Sequence, residues 1–158
     1  MGVTLKKSAG CFVISKKDDK YYLLLQRKDW NDGKIGWVPP KGGIEIDESE
    51  EDAAKRETSE ETGLKDMTII KKLHKNNYEF EKDSEKFKKV VIWFLATTQS
   101  MELGQKELTQ HEVATQKQVK WIELNDALNN MIFEDEKEIL KQIIIDLNNG
   151  KLTDIKKI

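Results

Sequence analysis

Cysteine is all but absent from this 158-residue chain, with Cys11 the single example. No intramolecular disulfide can form, and the usage fits a reducing, cytoplasmic compartment. Cys11 itself falls in an apolar run and reads as core. Histidine is nearly as scarce: His74 and His111 stand far apart without cysteine nearby, which argues against a zinc site. No apolar run approaches the length of a membrane span, and no leader pattern is expected at the N-terminus. Lys6 stands where a myristoylation signal would need Ser or Thr. Arginine occurs only as Arg27 and Arg56, in a chain whose other basic residues are all lysine. An arginine kept against that bias points to a need for two-pronged hydrogen bonding. Proline occurs only as the pair Pro39 and Pro40. The net charge of -2 gives no global reason to expect a nucleic-acid partner.

What is present in quantity is charge, 35% of the residues, with a mean hydropathy of -0.68. The most informative charged stretch is Gly42 to Leu64. Ser49 and Asp52 form a capping pair ahead of a run free of Gly and Pro until Gly63. Acidic residues crowd the first turn, where the helix dipole favours them, and Gly63 is a natural left-handed stop. A loop, Gly42 to Glu48, therefore feeds a helix of about three to four turns. Residues three and four apart share a helix face, so Glu57, Glu60 and Glu61 project together. Clustered carboxylates repel unless a cation sits among them, and an all-oxygen set suits Mg2+ or Mn2+. Arg56 can fork onto Glu60 or Glu48 and hold a carboxylate still.

These residues carry a resemblance. Gly42, Glu48, Arg56, Glu57, Glu60, Glu61, Gly63 and Leu64 match the spacing of the Nudix box, with Thr58 at a position usually aliphatic. The chain is similar to Nudix hydrolases, and the resemblance implies water attack on a phosphoanhydride of a nucleoside diphosphate derivative. It implies Glu57, Glu60 and Glu61 as metal ligands, together with a backbone carbonyl near Lys41. One of the three glutamates would serve as base. Arg56 and Glu48 would orient them, and Gly42 and Gly63 would shape the loop and the helix end. Further segments, among them Trp37-Val38-Pro39-Pro40-Lys41-Gly42, Lys88 to Trp93, and His111-Glu112, resemble the asymmetric diadenosine tetraphosphate hydrolases. These imply cleavage to ATP and AMP, with Glu112 as a fourth carboxylate. Gly36 and Gly43 stand where that group often has histidine. Lys41, Lys86, Lys88 and Arg27 are candidates for the polyphosphate, and Tyr78 and Phe133 for clamping an adenine. Trp37 and Trp93 read as core. The alternatives are diphosphoinositol polyphosphates, RNA 5′ ends, or a nucleotide sensor without catalysis.

The remaining pattern predicts strands over 7–15 and 21–26, a loop over 27–36, and a rigid extended segment through the prolines. A strand over 67–73 and a hairpin turning near Asp83-Ser84 follow. Residues 99–117 read as a long loop, 119–124 as a strand, and two helices close the chain, the last ending at Asn149-Gly150. Strands interleaved with helices on both sides of a mixed sheet give an α/β/α sandwich. Residues 1–150 are expected to form one domain, with 151–158 as a frayed tail. The expected form is a monomer acting on a small dinucleoside polyphosphate, with no membrane association.

Overall fold

Two hairpins with two-residue turns supply the long strands of the sheet. In the computed structural model, which describes residues 2–158, β1 (Thr4–Lys17) turns into β2 (Lys20–Asp29), and β5 (Thr68–Lys82) into β6 (Glu85–Thr97). The turn residues Asp18, Asp19, Asp83 and Ser84 all have positive φ. That is the backbone twist a two-residue hairpin needs, and short polar side chains tolerate it best. The predicted turn at Asp83-Ser84 is thus where the chain reverses.

β6 lies parallel to β1 at the centre of the sheet, Ala9 opposite Ile92 and Cys11 opposite Phe94. The order is β3-β2-β1-β6-β5, where β3 is Ile35–Val38. Two more strands attach antiparallel, β4 (Lys41–Gly43) to β1 and β7 (Gln116–Glu123) to β2. Side chains alternate across a strand, so each face of the mixed sheet builds its own core. Ala9, Cys11, Val13, Val90, Ile92 and Phe94 pack toward α1 (Glu50–Thr62). Phe12, Ile14, Val91, Trp93 and Leu95 pack toward α3 (Leu124–Asn130) and α4 (Glu134–Asn148), which contribute Leu124, Ala127, Leu140 and Ile143. Truncating fully buried Leu140 to Ala would cost about 2–5 kcal/mol. Helices therefore cover both faces of the sheet.

Three local expectations change. The loop over 27–36 is shorter, because β2 continues to Asp29 and β3 begins at Ile35, pairing with it. The segment 99–117 carries α2 (Gln110–Thr115), and its last two residues already belong to β7. The tail is docked rather than frayed: Lys156 O accepts from Lys16 N at 3.0 Å, and Ile158 N donates to Lys16 O at 2.8 Å. Leu152 and Ile155 pack on the α3–α4 core. The tail thus satisfies backbone groups that the end of β1 would otherwise expose.

The short strands on either side of the proline pair bring the site together. Pro40 O accepts from Cys11 N at 3.2 Å, which pins the segment across β1. Proline has no N–H to satisfy, so the pair can run from one strand to the next without an orphan donor. Lys41 is the first residue with a free N–H, and that group reaches the α1 helix.

Candidate active site

α1 forms as its caps dictate. Ser49 Oγ accepts from Asp52 N at 3.0 Å, and Gly63 takes a left-handed φ of 82°. A Cβ at Gly63 would overlap the Gly104 backbone, whose N–H donates to Gly63 O at 2.8 Å. The buried face carries Ala53, Ala54, Thr58, Glu61 and Thr62, small or polar residues that let the helix lie close on the sheet. Thr58 is fully buried and its hydroxyl donates to Ala54 O at 2.8 Å, so the hydroxyl at this usually aliphatic position is satisfied.

Arg56 ties the loop to the helix. Its Nε and Nη2 donate to the two oxygens of Glu48 at 2.7 and 2.9 Å. Nη2 also reaches Gly43 O at 2.9 Å, and Nη1 donates to Glu57 at 2.9 Å and Glu60 at 3.2 Å. The guanidinium holds Glu48 well below the usual carboxylate range, at about 2. Gly42 leaves the space that Glu57 fills, since a Cβ there would overlap the Glu57 carboxylate.

Glu61 is buried at 1% exposed. It accepts from Lys41 N at 2.8 Å and Gln26 Nε2 at 3.2 Å, with Lys28 Nζ at 3.8 Å. Burial pushes its carboxyl up to about 8; Lys28 opposes the rise and Glu112 adds to it. Burial also raises Glu57, against the pull of Arg56. Glu112 caps α2: Thr109 Oγ1 accepts from Glu112 N at 3.2 Å, and Thr109 N donates to Glu112 Oε1 at 2.9 Å. Burial pushes Glu112 up, but hydrogen bonds from Glu61 and Thr109 outweigh it and leave the group below its ordinary range.

Glu57, Glu61 and Glu112 bring one oxygen each within 4.8 Å of one another. Three carboxylates that close, one of them wholly buried, are costly without a positive charge among them. The donor set is all oxygen, and it fits a hard divalent cation. Glu60 lies outside this group and pairs with Arg56 instead.

A cavity of about 480 Å³ opens beside the carboxylates, lined among others by Gln26, Lys28, Lys41, Tyr78, Trp93 and Phe133. Lys41 therefore faces the cavity while its backbone N–H holds Glu61. Phe133 makes an edge contact with Trp30, 5.7 Å between centroids. Lys89 is held down to about 8 by burial and by the ammonium groups of Lys41, Lys6 and Lys28, so these lysines converge.

Among the predicted residues, the structure thus brings Lys41, Tyr78 and Phe133 together at the cavity, next to Glu57, Glu61 and Glu112. It does not bring Arg27, Lys86 or Lys88 there. Arg27 pairs with Asp29 at 3.4 Å. Lys86 sits at the far end of the β5–β6 hairpin, near Gly2 and Thr4. Lys88 shares its strand face with Val90, toward α1, whereas Lys89 shares one with Val91 and Trp93. The sequence reading missed Lys28 and Lys89, each one position from a residue it chose. It also missed Gln26 and Gln116: Gln116 Nε2 donates to Gln26 Oε1 and to Glu61 O, both at 2.8 Å. A glutamine directly after Leu23-Leu24-Leu25, still within the strand, was the available signal. Trp93 is core at 1% exposed, yet it also lines the cavity.

The NUDIX domain model matches residues 4–143. The asymmetrical bis(5′-nucleosyl)-tetraphosphatase of Sus scrofa is 32% identical over 125 residues, 77% of this chain and 76% of that protein. The MutT4 protein of Mycobacterium tuberculosis is 30% identical over 136 residues, 84% of this chain but only 52% of the longer relative. A crystal structure of a C. elegans Ap4A hydrolase binary complex superposes with a TM-score of 0.68 at 27% identity, covering 91% of this chain and 98% of the other.

Proposed function

The chain belongs to the NUDIX hydrolase family, and from that premise we propose that it hydrolyses dinucleoside polyphosphates, cutting diadenosine tetraphosphate asymmetrically into ATP and AMP. The observation that carries the reading is Lys41, whose backbone N–H holds the buried Glu61 while the residue lines an aromatic cavity. Anhydride cleavage and base binding are thereby one residue apart. The relatives named for this substrate support the same choice.

Each group has a part in the reaction. Glu57, Glu61 and Glu112 would hold Mg2+ or Mn2+, with Glu60 and the Lys41 carbonyl as further contacts. Such a cation would supply Lewis-acid chemistry at the phosphate. Lys41, Lys28 and Lys89 offset the negative charge of the polyphosphate. A carboxylate of the cluster takes the proton of the attacking water as the new P–O bond forms and the ATP oxygen leaves. Arg56 keeps Glu48, Glu57 and Glu60 in register, so little reorganisation is needed at the transition state. Tyr78 and Phe133 grip one adenine by their faces.

Diphosphoinositol polyphosphates would use the same lysines but bring no flat base to Tyr78 and Phe133. The test is phosphate release from a panel of dinucleoside polyphosphates, diphosphoinositols and capped RNA, with and without Mg2+. The highest kcat/KM is expected for diadenosine tetraphosphate, and only with the cation. Preference for a diphosphoinositol would overturn the assignment.

A further inference from the structure

Glu136 lies three residues beyond Phe133, in the first turn of α4, and is only 5% exposed. Its Oε1 has no hydrogen-bond partner among the described residues. The same is true of the indole Nε1 of Trp93, which is 1% exposed. Both residues line the cavity that holds Tyr78 and Phe133. Buried polar atoms are almost always paired, and each unpaired one lowers stability. Here an unpaired acceptor and an unpaired donor belong to two side chains that line one cavity. Glu136 makes no ion pair within 4.0 Å among the described residues, although Lys41, Lys28 and Lys89 are near enough to act on it. A simple counter-charge would be expected to close on one of them.

We propose that Glu136 and Trp93 read the edge of a purine carrying an exocyclic amino group: the carboxyl oxygen accepts an amino N–H, and the indole N–H donates to a neighbouring ring nitrogen. Tyr78 and Phe133 offer affinity for any flat base; this polar pair adds discrimination among bases. A site built around a hydrogen bond rejects the analogue lacking that group, because its own polar atom is left unpaired. Adenine supplies the amino donor and an adjacent acceptor nitrogen. Hypoxanthine, with an oxygen in place of the 6-amino group, does not. Guanine carries its amino group at C2, on the other side of N1.

The inference rests on the nucleotide reading above, but its test needs no turnover. Binding of AMP, GMP and IMP is measured by calorimetry for the wild type, Glu136→Gln and Glu136→Met, with melting temperatures alongside. The wild type should bind AMP about tenfold more tightly than IMP, the worth of roughly one well-placed hydrogen bond. Gln keeps an acceptor oxygen and should retain most of that ratio. Met should bring it within about twofold while raising the melting temperature, since an unpaired buried group is replaced by an apolar one. Tight GMP binding that is also lost in Glu136→Met would support the pair as a reader of the 2-amino rather than the 6-amino group. An AMP to IMP ratio unchanged in Glu136→Met would overturn the proposal. So would equal tightening of all three nucleotides in both variants, the mark of a residue that only offsets the lysines. If AMP is discriminated but no dinucleoside polyphosphate is hydrolysed, base reading stands and the substrate assignment falls.

Discussion

The carboxylate end of the site and the aromatic cavity beside it are built on opposite terms. Around Arg56 and Glu61 the polar groups are tied down: five hydrogen bonds from one guanidinium, two donors onto Glu61, a reciprocal cap at Glu112. At the cavity, Glu136 and Trp93 bury polar atoms that have no partner among the described residues. A site that must meet developing charge gains from groups already fixed. A site that must choose a ligand gains from groups the ligand alone completes. The first arrangement should be sensitive in kcat, the second in KM and in stability.

The largest expected break lies at the carboxylates. Glu57→Gln should lower kcat on the order of a thousandfold in steady-state assays, and chelation of divalent ions should remove activity altogether. Folding should survive Glu57→Gln, because removing one charge relieves repulsion in a crowded acidic group. Next comes Arg56→Lys, which keeps the charge but loses the fork onto Glu48. It should reduce kcat about ten- to a hundredfold, as loss of a residue that positions ligands does.

The cavity should respond in the other parameter. Tyr78→Ala should raise KM about 5- to 150-fold, the range of one base-stacking contact, with kcat little changed. Tyr78 is 42% exposed, so its melting temperature should hardly move. A sharper comparison sets Lys89→Ala against Lys88→Ala. The first should raise KM on the order of tenfold, as loss of a charge-assisted hydrogen bond would; the second should leave it alone.

That pair also shows where the sequence was legible. The run from Gly42 to Leu64 can be read because everything in it is local: a cap, a stop, and carboxylates at helical spacing. The caps Ser49 and Gly63 follow from it, and so does the reach of Arg56 onto Glu60 or Glu48, both of which it contacts. Strand residues demand parity. Choosing Lys88 over Lys89, or Arg27 over Lys28, turns on a single position, and a register shift in the β2–β7 pairing falls between those last two. Gln26 and Gln116 act through contacts between distant segments, which composition and spacing do not encode. The docking of residues 151–158 was hidden for the same reason: it answers an unpaired strand end elsewhere.

The smallest effect concerns pH. Burial pushes Glu136 up to about 8 from 4.5, with Asp135 adding to the rise and Lys41, Lys28 and Lys89 opposing it. A raised carboxyl costs nothing below its unfolded value and its full amount above its folded one. The melting-temperature advantage of Glu136→Met over the wild type should therefore grow as pH climbs from about 4.5 to about 8. An advantage independent of pH would mean that Glu136 is not held in its neutral form by burial.

The most direct test follows the cut itself. Diadenosine tetraphosphate is hydrolysed in 18O-labelled water with Mg2+, and the first products are resolved by mass. ATP and AMP, with label in only one of them and no ADP formed directly, is the predicted result. ADP as the main initial product, or turnover undiminished without the cation, would contradict a cation-dependent carboxylate site working beside a single base pocket.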